Sequence, residues 1–239
     1  MSVRLNLQAD SAAELLEKLA SLDITVPPIN EGRSTIHRER YMMARMLATL
    51  AHTEALQFPL RIEHREKPDF ALHGPAGVVG VECVEATHPE WATIQAIREE
   101  DFPDTLIFVP MLRPGERKFS TEERVEIARG DRAGPPWVGN MAERQWATGV
   151  AHFVEGKTEK LRKGGYSEFD RVWLLVQDEW PAPVHYPEEY VEAASLCAEA
   201  IASCTVAPCF SKILVGNHRW LITLSPGPVS VEPMNDLWR

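Results

Sequence analysis

Cysteine is scarce in this chain and poorly spaced for cross-linking or metal binding. The four residues stand at 83, 197, 204 and 209, with no C-x-x-C pair and no spacing that fits structural zinc. That argues against a disulfide framework and leads us to expect reduced thiols in a cytoplasmic protein. Long apolar runs are missing too. Nothing approaches the roughly 20 residues that cross a bilayer, and the opening Met1-Ser2-Val3-Arg4-Leu5 has no signal-peptide stretch. Positive charge is in deficit: 25 Lys and Arg face 35 Asp and Glu, for a net −10. This balance argues against a protein that coats nucleic acid by counterion release. It leaves room for a metal-centred site, because a bound cation dominates the charge around it. Several catalytic signatures are absent as well. There is no G-x-S-x-G elbow and no H-E-x-x-H. Gly156-Lys157-Thr158 ends like a phosphate-binding loop, but Ala151 stands where that loop needs glycine.

What is present is enough for a real core: 239 residues, 44% of them hydrophobic. Residues 10–22 pattern as a short amphipathic helix, and two prolines and a glycine between Thr25 and Arg33 make a linker. Ser34 is a helix cap for a run to about Leu50. Leu60–Ile62 is short and extended. Phe70–Leu72 and Val78–Val84 form a strand pair across a Gly-Pro turn. Residues 91–99 are helical, and Thr105–Val109 is a β-rich run limited by Pro110. Residues 113–140, rich in charge, Gly and Pro, have the composition of an insertion or mobile loop. A long helix covers 141–163. Val172-Trp173-Leu174-Leu175-Val176 has the pattern of a strand buried on both faces. Pro187 opens a helix to about Ala202. Ser211–Val215 and Arg219–Leu224 form a hairpin, and the tail after Pro226 is irregular. This order predicts an α/β protein with a mixed central sheet flanked by helices. Residues 1–33 are expected as an N-terminal helix and linker. Residues 34–239 are expected as the main domain, with an insertion at about 105–140.

Two carboxylates stand out. Asp69 opens one apolar run after Pro68, and Glu82 is embedded in the next, Val78-Val79-Gly80-Val81-Glu82-Cys83-Val84. A carboxylate inside an otherwise buried strand is costly unless it is paired or binds a cation. Two of them on neighbouring strands suit Mg²⁺ or Mn²⁺, which is satisfied by one or two carboxylates plus water and phosphate. Alternation puts Glu82 on one strand face with Gly80 and Val84, where the small Gly80 leaves room for a ligand, and turns Glu85 to the other. The structural alternatives are a solvent-facing strand Glu and a turn Asp. Glu39 lies within an apolar helical stripe of Ile36, Met42, Met43, Met46 and Leu50, which turns it toward the protein body unless it reaches out to solvent. Lys157 lines up with Val150, Phe153, Val154 and Leu161, with Lys160 on the adjacent edge. A stem that packs while its ammonium reaches water is the plainer account of either lysine. Glu63, His64, Arg65 and Glu66 precede Asp69 as a polar segment. Trp137, Trp146 and Trp173 are aromatic candidates for stacking on bases, Trp173 being better explained by packing.

The Pro68-Asp69 and Glu82-Cys83-Val84 pair resembles the PD-(D/E)XK nuclease superfamily, with Val84 where the motif has Lys. The resemblance implies a restriction-endonuclease-like α/β/α fold whose core runs helix, three strands, helix, strand. It implies that Asp69 and Glu82 hold Mg²⁺ or Mn²⁺, and that Glu39 matches the glutamate many members carry on the first core helix. It also implies a catalytic lysine moved to the later helix, at Lys157 or Lys160. The function so implied is hydrolysis of phosphodiester bonds in DNA or RNA, with nucleic acid as partner, no membrane, and a homodimer as a further expectation. The other reading is a nuclease-like fold without the chemistry, acting as a binding or regulatory module.

Overall fold

The computed structural model describes residues 4–28, 31–116, 119–132, 134–164, 169–204, 209–225 and 228–238. In chain order the elements are β1 (Leu7–Ala9), α1 (Ala12–Ala20), α2 (Thr35–Leu50), β2 (Leu60–His64), β3 (Phe70–Gly74) and β4 (Gly77–Thr87). There follow α3 (Pro89–Asp101), α4 (Thr121–Arg129), α5 (Met141–Arg162), β5 (Arg171–Glu179), α6 (Pro187–Ala202), β6 (Lys212–Gly216), β7 (Trp220–Ser225) and β8 (Ser230–Pro233). The protein is mixed α/β, and the chain divides into two compact units. One comprises the described residues of 1–84, 158–177 and 209–239, and the other those of 85–157 and 178–208. No helix among the described residues is long and apolar enough to cross a membrane.

Most of the sheet belongs to the first unit, and among the described residues its eight strands lie in the order of the sequence. β1 to β4 pair antiparallel from one neighbour to the next, β5 and β6 run parallel, and β6 to β8 are antiparallel again. Alternation turns Leu60, Ile62, Phe70, Leu72, Val79, Val81, Cys83, Trp173, Leu175, Leu214 and Leu221 onto one core, which α2 covers with Met43, Met46 and Leu47. The cap at Ser34 and the apolar face of α2 fall where the sequence puts them. Arg45 is buried in this layer. It donates to Tyr41 Oη and to the His218 carbonyl at 2.8 Å, and lies 3.7 Å from the Asp236 carboxylate. Thr49 Oγ1 accepts from Asn235 N at 2.9 Å, and the Trp238 indole donates to the Leu22 carbonyl at 2.9 Å, so the closing segment lies against α1 and α2.

Three expectations need correcting. The tail after Pro226 is not wholly irregular, since Ser230–Pro233 forms the edge strand β8 on β7. Four residues carry too little periodicity to announce a strand, and only the partner makes one. Thr105–Val109 forms no strand, despite its β-branched and aromatic content. Leu106 is almost wholly exposed, while Ile107 packs against the small core of Ile94, Leu112, Phe119, Ile127 and Ala128. Residues 113–140 are not simply a loop, because they contain α4. Ser120 accepts from the Glu123 amide while Glu123 reaches back to the Ser120 amide at 2.8 Å, a complete capping box. Gly130 closes the helix at φ 81°, a left-handed turn that suits glycine. Arg124 forks onto both oxygens of buried Glu90 on α3, at 2.8 and 3.0 Å, and fixes α4 against α3. Replacing Ser120 by Ala should cost about 1 kcal/mol. Urea denaturation followed by amide exchange will locate that loss in α4.

Candidate functional site

Asp69 reaches its place through a tight β2–β3 connection. The Arg65 amide donates to the Asp69 carbonyl at 2.8 Å, and the loop includes a cis peptide between Lys67 and Pro68. β3 and β4 are then held in a register that pairs Phe70 with Val81 and Ala71 with Gly80. Continued by one residue, that register sets Asp69 opposite Glu82. Directly opposite positions share a face, with Cβ atoms about 5 Å apart. Asp69 Oδ2 also accepts the Cys83 amide at 2.6 Å, which ties its carboxylate to the strand that bears Glu82. Both acids are half-buried. The two residues singled out first in the sequence thus come together at one end of the β3–β4 ladder.

Their surroundings differ from the expectation in one respect. The space above Gly80 is not left for a ligand. A Cβ added there would sit 2.7 Å from Pro68 Cγ and 3.1 Å from the Phe169 ring. Glycine is required at this position so that the proline turn and Phe169 can close over the strand. The Arg65 guanidinium lies over that same Phe169 ring, 5.2 Å from its centre.

Glu39 has a different partner. Its Oε2 lies 3.1 Å from Nε2 of His64, a side chain 1% exposed. The Leu5 amide donates to His64 Nδ1 at 3.2 Å, which makes Nδ1 the acceptor and puts the ring proton on Nε2, facing Glu39. His64 stacks on Phe70, 4.1 Å between ring centres, and Phe70 belongs to the α2-facing core. Asp69 and Glu82, one step out of phase with Phe70 and Val81, fall on the opposite face by alternation. Among the described residues no three His, Cys, Asp or Glu side chains gather as a ligand set.

The lysines follow the helix they ride on. Val150, Val154 and Thr158 are among the buried positions of α5. Lys157, expected near the middle of the stripe, is half-buried beside it, and Lys160 is exposed. The polar segment before Asp69 is mostly structural. Glu63 lies 3.5 Å from Arg61 and 3.3 Å from His73, and Glu66 lies 3.6 Å from Arg4. Trp146 and Trp173 are buried. Trp137 lines a broad groove of about 1020 Å³ in the second unit. Burial pushes the Cys197 thiol up, which fits a packing role rather than a nucleophile.

Sequence reasoning missed the Glu39–His64 pair and the cations Arg171 and Lys212, which line a pocket at the other end of the sheet. Neither is announced by spacing, since each depends on which strands lie side by side. No family model matches the chain, and no curated protein and no solved structure matches it. Asp69→Asn keeps an acceptor for the Cys83 amide and should cost about 0.5 kcal/mol or less. Asp69→Ala leaves that amide without it and should cost about 1–3 kcal/mol by urea denaturation.

Proposed function

We propose that this chain is a metal-dependent nuclease of the restriction-endonuclease-like type, with Asp69 and Glu82 as the ligands of Mg²⁺ or Mn²⁺. The observation that carries the proposal is the β3–β4 register, which brings these two acids opposite one another. The element order adds support. α2, β2, β3, β4, a helical stretch ending in α5, and β5 follow the helix, three strands, helix, strand of the PD-(D/E)XK core.

The donor set suits a hard cation, since two carboxylates leave coordination positions for water and for phosphate oxygen. Such an ion, when bound, supplies a water of lowered pKa and neutralises phosphate charge. The chain's own residues do the rest. Asp69 is held in orientation by the Cys83 amide, and Glu82 is held by its place in a long strand. Arg65, fixed over Phe169 beside the proline turn, presents a cation for a phosphate of the bound strand. With Val84 at the motif's lysine position, α5 supplies the missing cation, and Lys160, exposed at its last turn, is the first residue to change. Glu39 is bonded to His64, and its part is to hold that histidine and the N-terminal strand in place. The substrate is nucleic acid, DNA or RNA.

A second reading has its own support, in Val84 and in the closure of Pro68 and Phe169 over Gly80. Under it the chain keeps the fold as a binding or regulatory module.

Calorimetric titration with Mn²⁺, comparing the wild type with Asp69→Asn/Glu82→Gln, tests the metal site. We expect binding by the wild type and loss of at least tenfold in affinity in the double variant, with cleavage of DNA or RNA oligonucleotides lost alongside. Equal Mn²⁺ affinity in the two proteins refutes the carboxylate site. Binding that depends on the pair, with no cleavage of any single- or double-stranded probe, identifies the binding module instead.

A further inference from the structure

The first unit has a second concave site, independent of the carboxylate pair and of the function proposed for it. It is a pocket of about 290 Å³ on the α2-facing side of the sheet, beyond the end of that helix. Leu60, Leu72, Val79 and Trp173 make its apolar wall, and Gln57 from the segment after α2 stands at the rim. Two cations line it, Arg171 and Lys212. They meet there because of the sheet. β5 and β6 are parallel with Trp173 beside Lys212, and Arg171 lies two residues before Trp173 on the same face.

These cations differ from the ion-paired arginines of this protein. Among the described residues neither the Arg171 guanidinium nor the Lys212 ammonium has a hydrogen bond or an ion pair. Glu54 also lines the pocket, yet it comes within salt-bridge distance of neither. Arg4, Arg45, Arg61, Arg124, Arg129 and Arg132 each have a carboxylate within 4.0 Å. Lys212 is half-buried, with its ammonium 5.1 Å from the centre of the Trp173 ring. Burial holds its pKa below the ordinary lysine value, Glu232 works the other way, and Arg171 lowers it further. Two like charges held side by side, one of them drawn into the protein, store repulsion that a bound anion relieves.

We propose that this pocket binds a phosphate monoester, with the dianion between Arg171 and Lys212 and the organic body against Leu60, Leu72 and Val79. The planar fork of Arg171 fits two phosphate oxygens, and Lys212 serves as a point charge beside it. Two adjacent cations match a dianion better than a single carboxylate charge. The volume lies at the lower end of small-ligand sites and suits a mononucleotide or a sugar phosphate. The phosphorylated end of a nucleic-acid strand offers the same chemistry.

The test is calorimetric titration of the full chain with inorganic phosphate, AMP and acetate, and with one oligonucleotide carrying either a 5′-phosphate or a 5′-hydroxyl. Arg171→Gln and Lys212→Gln are compared with the wild type, and far-UV circular dichroism checks that each is folded. Because Lys212 is half-buried, the exposed Arg171 serves as the decisive variant. AMP should bind the wild type more tightly than inorganic phosphate, acetate should bind at least tenfold more weakly, and each variant should weaken AMP binding about tenfold or more. A 5′-phosphate preference of the oligonucleotide assigns the pocket to strand ends, and AMP binding without that preference assigns it to free monoesters. No AMP binding at millimolar concentration, unchanged affinity in folded Arg171→Gln, or acetate binding equal to phosphate each overturns the proposal. The Asp69→Asn/Glu82→Gln protein should bind AMP as the wild type does, so failure of the metal site and failure of this pocket are read separately.

Discussion

The pairing of β3 with β4 governs the chemistry available to this protein. The side-chain period of a strand is two, so a slip of one residue would exchange every position between the two faces. Held as it is, the register sends Phe70, Val81 and Cys83 to the core under α2 and leaves Asp69 and Glu82 together on the other side. Slipped by one, it would put a carboxylate among Met43, Met46 and Leu47, where an unpaired charge costs several kcal/mol. The core under α2 therefore fixes the geometry of the acidic pair on the reverse face. The bond from the Cys83 amide to Asp69 locks the end of the ladder, where fraying would otherwise begin.

The elements with strong local signals were legible. Ser34 and Pro187 mark the starts of α2 and α6, and the continuous apolar run of β5 sits in the sheet as its composition requires. The capping box of α4 was also present in the sequence. Ser120, Glu123 and Gly130 spell it out, but the surrounding charge and proline outweighed three residues of pattern. β1 and β8 were not legible, because a strand of three or four residues at a sheet edge is specified by the neighbour it pairs with rather than by its own period. Thr105–Val109 shows the reverse, a run with strand composition and no neighbouring strand to pair with.

The candidate site was readable to the same degree. Asp69 and Glu82 were found because a charge in an apolar run is conspicuous whatever it pairs with. The sequence alone does not settle the room above Gly80, because glycine admits two explanations, space for a ligand or space already taken by a neighbouring group. The residues that choose between them, Pro68 and Phe169, lie far apart in sequence. The apolar spacing centres a helical stripe near Lys157, yet Thr158 holds the buried position. A polar residue accepted by the core shifts the apparent phase of an amphipathic helix by one place.

The order of the strands also bears on how the chain assembles. Because the sheet is laid down in chain order, most strands meet an already synthesised neighbour as they form, which keeps many contacts short in sequence. Arg45 is an exception. It is part of α2, while His218 and Asp236, which complete its bonding, are made much later. During synthesis α2 must therefore either keep this guanidinium in water or bury a charge without its carboxylate. Secure seating of the helix is deferred until those residues arrive, and two stretches far apart in sequence become thermodynamically coupled through one arginine.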